Sequence, residues 1–249
     1  MEKRYFFQIA YNGEKHSGWQ RQKKQSSIQE VIETKLQLLF GKFISIIGCG
    51  RTDAGVHASN YFFHCDLTPI TDTDHLIFKL NRMLPPEISI HQILEVSIES
   101  HARFHAIERT YRYQIHSKKN PFKERLSYYV PQKLSFLKMN EAAGLLIGKH
   151  DFTSFAKLHT DVATNVCVVM QSEWIQEDDN NWCFEITANR FLRNMVRAVV
   201  GTLLEVGLGK IDPNEIKKIL AEKDRNSAGK SVPAHGLYLH NVKYPDTIF

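Results

Sequence analysis

The chain has 249 residues, with 32 Lys and Arg against 27 Asp and Glu, for a formal charge of +5 at pH 7. At 43% hydrophobic and 24% charged residues it is neither disordered nor fibrous, and it is long enough for one or two compact domains with a sizeable core. No apolar run approaches the roughly 18 to 20 residues of a membrane span, and Met1-Glu2-Lys3-Arg4 does not open a secretory signal, so a cytoplasmic protein without membrane contact is expected.

Residues 4–11 alternate Tyr5, Phe7, Ile9 and Tyr11 with Arg4, Phe6, Gln8 and Ala10, the period of a strand. A Gly-, Ser- and Lys-rich loop follows. Ser27-Ile28-Gln29-Glu30 then reads as a capping box, and Ile28, Val31, Ile32, Leu36, Leu39 and Phe40 recur at three and four until Gly41 stops the helix. Residues 42–48 and 60–66 read as strands around a Gly-rich loop. Leu76, Ile77, Leu80 and Leu84 share a helical face that Pro85-Pro86 ends, and a strand at 88–97 closes the half. The order β-α-β-β-α-β is that of a ferredoxin-like unit, four antiparallel strands backed by two helices.

The second half repeats the pattern. A strand runs from Tyr111 to His116, a short helix covers 140–147, and strands at 165–175 and 181–188 flank the turn Asp178-Asp179-Asn180-Asn181. A long helix is expected at 190–206. Another follows, with Asp212 as N-cap, Pro213 first and Glu215 completing the box. A last strand at 236–242 completes the order. The expected class is therefore α+β: two ferredoxin-like halves, residues 1–105 and 106–249, joined into a continuous, mostly antiparallel sheet with helices on one side and a central cleft.

Cofactor signatures are missing. Cys49, Cys65, Cys167 and Cys183 form no C-x-x-C pair, the 12 His are dispersed, and Gly229-Lys230-Ser231 imitates a phosphate loop but has Asp224 where that motif needs glycine. No metal and no nucleotide or other cofactor is expected. The charge, by contrast, is polarised. From Arg103 to Arg125, seven Lys or Arg, among them Arg112, Lys118 and Lys119, face only Glu108 and Glu124 and are interleaved with Phe104, Tyr111, Tyr113 and Phe122. Lys15, Arg21, Lys23 and Lys24 add charge in the first loop, whereas 171–185 is purely acidic. Basic residues among aromatics suit a nucleic acid, with cations on phosphates and rings on bases. A solvated strand edge has the same composition.

The loop between the second and third strands is the place for chemistry. In Gly48-Cys49-Gly50-Arg51-Thr52-Asp53-Ala54-Gly55-Val56-His57, glycines allow a tight backbone that turns Asp53 outward. Asp53 either hydrogen-bonds its own turn or serves as a carboxylate nucleophile kept ionised by a neighbouring guanidinium, since only the anion attacks.

Seven ordered segments resemble the tRNA pseudouridine synthase A family: S-G-W-Q-R-Q at 17–22, G-R-T-D-A-G-V-H-A at 50–58, A-R-F-H-A at 102–106, R-T-Y-R-Y at 109–113, H-D-F-T-S-F at 150–155, N-R-F-L-R-N-M-V-R at 189–197 and P-A-H-G-L-Y-L at 233–239. The resemblance implies a homodimeric isomerase that detaches uracil from ribose in the anticodon stem-loop of tRNA, rotates it and rejoins it through C5, with no cofactor. It implies that Asp53 is the nucleophile, attacking either the base or the ribose carbon, that Tyr111 stacks on the target base and assists proton transfer at C5, that Arg51 holds the flipped nucleotide and that Arg197 pairs with Asp53. Flipping costs a few kcal/mol, which a stacking ring and an inserted cation offset. Arg193, with Arg21, Arg112, Lys118 and Lys119, is then a phosphate contact. Arg190, Arg193 and Arg197 are also spaced as one solvated helix face. His57 either touches RNA or anchors the next strand, and Trp19 and Phe152 are either RNA platforms or core residues. The competing reading is a non-catalytic tandem RNA-recognition module, which shares the topology but would carry a basic-Gly-aromatic strand signature that is missing here.

Overall fold

A computed structural model describes residues 1–23, 25–157 and 164–249; Lys24, one of the first-loop cations, lies outside them. Contacts divide the chain into two compact units, residues 1–107 with 238–249, and residues 108–237. The class is α+β, with mostly antiparallel strand pairing.

In the first unit, β1 (Lys3–Tyr11) lies between β3 (His57–Leu67) and β4 (Ile88–Val96), antiparallel to both. The short β2 (Ile47–Gly48) pairs with β3 at His64 and Phe63, so of the strand expected over 42–48 only the last two residues enter the ladder. Helix α1 (Ile28–Phe40) begins where the sequence places it. Ser27 Oγ accepts the Glu30 N–H, and Gly41, at φ 70°, caps the end by donating to the Gln37 carbonyl. Only half of the expected box forms, because the Glu30 carboxylate turns towards Arg21. Helix α2 (Thr73–Met83) starts at Asp72, whose side chain accepts from the His75 N–H.

Tyr5, Phe7, Ile9 and Tyr11 point to one face of β1 and Phe6 to the other, yet all five are buried, so both faces are covered. Phe7 stacks on its cross-strand partner Phe63, at 4.7 Å. On the opposite face Phe6 meets His64, Tyr244 and Phe249, and the Tyr244 hydroxyl donates to the Ala102 carbonyl at 2.6 Å. The expected last strand forms as β10 (Leu237–Lys243), but it pairs parallel with β3, Tyr238 opposite His57 and Leu239 opposite Ala58. Its residues from Tyr238 onward therefore belong to the first unit rather than to a half running from 106 to the end.

The second unit is built on β5 (Glu108–His116), β6 (Tyr128–Tyr129), β7 (Gly148–Asp151), β8 (Val166–Asp178) and β9 (Asn181–Ala188), in the order β6-β5-β9-β8-β7. The β8–β9 hairpin turns at the expected Asp and Asn residues, where Asp178 accepts the Asn180 N–H. Helix α3 spans Phe136–Gly144, four residues earlier than the expected start. Phe136 stacks on Trp182 at 3.5 Å, and the Asn140 amide accepts the Trp174 N–H and donates to its carbonyl, so tertiary packing draws the helix start forward. Helix α4 (Met195–Gly207) begins later than 190, because Asn194 takes φ 66° and donates its amide to Ser231 Oγ. Helix α5 (Glu215–Glu222) starts after a turn in which Asp212 accepts the Asn214 N–H. The segment that imitates a phosphate loop is a strap across α4. Gly229 donates to Thr202 Oγ1, Val232 donates to the Arg197 carbonyl, and a Cβ on Gly201 would lie 1.8 Å from the Lys230 carbonyl oxygen.

Candidate active site

In the first unit, the segment between β2 and β3 is held from below by the loop that follows β1. The Trp19 N–H donates to the Thr52 carbonyl, and the Gly55 N–H donates to the His16 carbonyl. Gly18, at φ +91°, packs so closely that a Cβ there would stand 2.2 Å from the Thr52 oxygen. Tyr11 and Tyr61 reach the same segment through their hydroxyls, at 2.8 Å to Thr52 Oγ1 and 2.5 Å to the Gly50 carbonyl. The loop also turns on itself, the Val56 N–H donating to the Asp53 carbonyl. Asp53 is left half-buried and Arg51 exposed, at the crest of a backbone tied down on both sides.

The other first-unit candidates are placed differently. His57 is 1% exposed; its Nδ1 accepts the Gly13 N–H and its ring stacks on Tyr238 at 4.6 Å, surroundings that match the anchoring alternative. Trp19 is buried and stacked on Tyr61, a core residue rather than a platform, and Phe152 in the second unit is likewise buried. Arg21 is exposed, but its guanidinium lies 3.3 Å from Glu33 and 3.5 Å from Glu30 on α1.

In the second unit, Tyr111 is half-buried on β5 and makes an edge-to-face contact with Phe191, 5.0 Å between ring centres. The residue composition alone does not single out Phe191; its place inside the 189–197 segment is the available signal. Arg197 is half-buried in the first turn of α4, with Nε donating to the Val232 carbonyl at 2.7 Å. Because α4 starts at Met195, Arg190 and Arg193 precede the helix, and the three arginines do not form the single helical face their spacing suggests. Arg193 is exposed, as are Lys118 and Lys119 beyond the end of β5. Arg112 is paired with Glu185 on β9, at 2.6 Å. Tyr113 is fully buried with its hydroxyl on the Pro233 carbonyl, and burial pushes its phenol well above the usual range. It is thereby removed from the aromatic surface.

Chemically, the first unit offers a half-buried carboxylate on a fixed backbone crest that also carries an exposed arginine; the second, taken by itself, offers a half-buried tyrosine braced by a second ring and a half-buried arginine oriented by a carbonyl. Among the described residues, no group of three or more His, Cys, Asp or Glu is arranged to hold a metal ion, and no helix is long and apolar enough to cross a membrane.

A family model described as tRNA pseudouridine synthase matches residues 142–245, a stretch that includes Arg193 and Arg197 but neither Asp53 nor Tyr111. Over nearly full length the chain is similar to proteins named tRNA pseudouridine synthase A. That of Bacteroides fragilis is 50% identical over 248 residues, covering 99% of this chain and 98% of the relative. That of Porphyromonas gingivalis is 46% identical over 249 residues, covering 99% of both. That of Bacillus subtilis is 39% identical over 240 residues, covering 95% of this chain and 97% of the relative.

Proposed function

The chain belongs to the tRNA pseudouridine synthase A family, and on that premise we propose that Asp53 is the nucleophile of its reaction, the isomerisation of uridine to pseudouridine in tRNA, at neighbouring positions of the anticodon stem-loop. The observation that carries this reading is the tethered crest: four backbone or hydroxyl contacts converge on residues 50–55 while Asp53 itself stays half-buried. A nucleophile must be held in place to attack a flipped nucleotide.

The Asp53 carboxylate adds covalently to the uridine, at the base or at C1′. The C1′–N1 bond breaks, the uracil turns, C1′ bonds to C5, and the bond to Asp53 breaks to return the free carboxylate. C5 then loses its hydrogen as a proton to water and N1 gains one, so electrons and atoms balance without a cofactor. Tyr111, braced by Phe191, stacks on the base and serves in proton transfer at C5; Arg51 holds the flipped nucleotide; and Arg197 takes the role the family resemblance implies, pairing with Asp53. Arg193, Lys118 and Lys119, all exposed, contact phosphates. Arg21 and Arg112, already held by carboxylates, contribute less to that electrostatic term. His57 supports the loop. The protein works as a cytoplasmic homodimer, which equilibrium sedimentation checks by a mass twice that of the chain.

The test is release of tritium from tRNA labelled at uracil C5, without added cofactor. Wild-type protein releases tritium to water, and Asp53→Asn abolishes release while still binding tRNA. Binding without release by the wild type refutes the catalytic reading and favours the RNA-binding module.

A further inference from the structure

Beneath the loop that carries Asp53 lies a set of three rings to which the mechanism above gives no part in turnover. Tyr61 stacks on Trp19 at 4.2 Å and meets Tyr11 edge-on at 5.6 Å, and all three are buried at 4% exposure or less. A buried phenol satisfies its hydroxyl. Here the two hydroxyls reach the loop, Tyr61 at the Gly50 carbonyl and Tyr11 at Thr52 Oγ1, on either side of exposed Arg51 and just before Asp53. Space has been cleared for this, since a Cβ on Gly48 would lie 2.0 Å from the Tyr61 hydroxyl and 2.6 Å from the Trp19 ring. Tyr11 ends β1 and Tyr61 lies on β3, strands paired antiparallel, so the two hydroxyls tie the loop to the sheet.

We infer that Tyr11 and Tyr61 are positioning residues for the reaction, acting through Thr52 and the Gly50 carbonyl to fix Arg51 and Asp53 at the distance the flipped nucleotide requires. The inference rests on the catalytic reading of Asp53. Most of the affinity for tRNA comes from the cations proposed to contact phosphates, so loss of either hydroxyl lowers turnover far more than it changes KM for tRNA. Each net hydrogen bond is worth about 1 kcal/mol, which sets the expected loss in kcat at about fivefold per hydroxyl.

Tyr11→Phe, Tyr61→Phe, Thr52→Val and the double variant Tyr11→Phe with Thr52→Val are compared with wild type by tritium release at several tRNA concentrations, with the unfolding midpoint recorded for each. The expected result is a lowered kcat at nearly constant KM in every variant. The double variant is no slower than the slower of its two singles, because both remove one and the same contact. Thr52→Ser, which keeps the hydroxyl, restores wild-type turnover. If wild-type protein is active and Tyr11→Phe and Tyr61→Phe keep kcat within twofold, the positioning role is overturned while the catalytic reading stands. Loss of kcat that tracks only the fraction of unfolded protein, or strictly multiplicative effects of Tyr11→Phe and Thr52→Val, overturns it as well. Absence of release by the wild type overturns both.

Discussion

Gly18 and Gly41 both have positive φ, at +91° and +70°, but differ in what surrounds them, and Gly18→Ala and Gly41→Ala together separate backbone strain from loop displacement. At Gly41 nothing lies within 4 Å of an added Cβ, so alanine costs only the left-handed backbone term, about 1 to 2 kcal/mol. At Gly18 the same term is joined by a Cβ 2.2 Å from the Thr52 oxygen and 3.0 Å from the Asp53 carbonyl carbon. These are backbone atoms, so relief requires the loop to rise by about 1 Å, a displacement that costs on the order of a hundredfold in rate when it moves a reacting group. Urea unfolding measures the first effect and tritium release from C5-labelled tRNA the second. Gly41→Ala should be destabilised with activity within twofold of wild type; Gly18→Ala should be destabilised at least as much and lose about a hundredfold in kcat. Equal activities in the two variants would show that the loop following β1 does not set the position of Asp53.

Two further outcomes follow from the charges. His64 is buried, its Nδ1 accepts the Ala102 N–H, and burial together with nearby Arg4 and His101 pushes its pKa down to about 4 from 6.5. Between those values the unfolded chain binds more protons than the folded one, so stability is complete above about pH 6.5 and falls as pH drops towards 4, by about 3 kcal/mol from this residue. His64→Gln should flatten that part of a pH series of urea midpoints, and an unchanged slope argues against a neutral buried His64. Lys118→Ala with Lys119→Ala should weaken tRNA binding, spare turnover at saturation, and make the dependence of log affinity on log salt shallower by about 1.5; an unchanged slope removes these lysines from the RNA footprint.

Local signals were readable where local chemistry decides the structure. Ser27 and Gly41 bound α1 as their residue types require, and the Asp and Asn pairs at 178–181 turn the β8–β9 hairpin. Boundaries set by distant partners were not. Helix α4 starts late because Asn194 bonds Ser231, and α3 starts early because Phe136 stacks on Trp182 and Asn140 grips β8, contacts that no window of local periodicity contains. The same holds at the site. Glycine spacing and the Arg-x-Asp pair mark the loop, but the anchoring of His57 under Tyr238 and the neutralisation of Arg21 and Arg112 by carboxylates depend on strand and helix neighbours. A cation's residue type reports its charge, and only its neighbours report whether that charge is already spoken for.

The parallel pairing of β10 with β3 has a consequence for the order of events during synthesis. His57, at the exit of the Asp53 loop, rests on Tyr238, and Ser59 and Asn60 bond partners 181 residues further along. At about 5 to 20 residues per second, a ribosome takes roughly 10 to 40 s to make that interval. Throughout it the loop has its supports, Tyr11 of β1, Trp19 of the following loop and Tyr61 of β3, but lacks the strand beside His57. A nascent or prematurely terminated chain therefore lacks the strand that packs on His57 at the exit of the loop carrying Asp53, the proposed nucleophile, until residues 237–243 have been made and inserted.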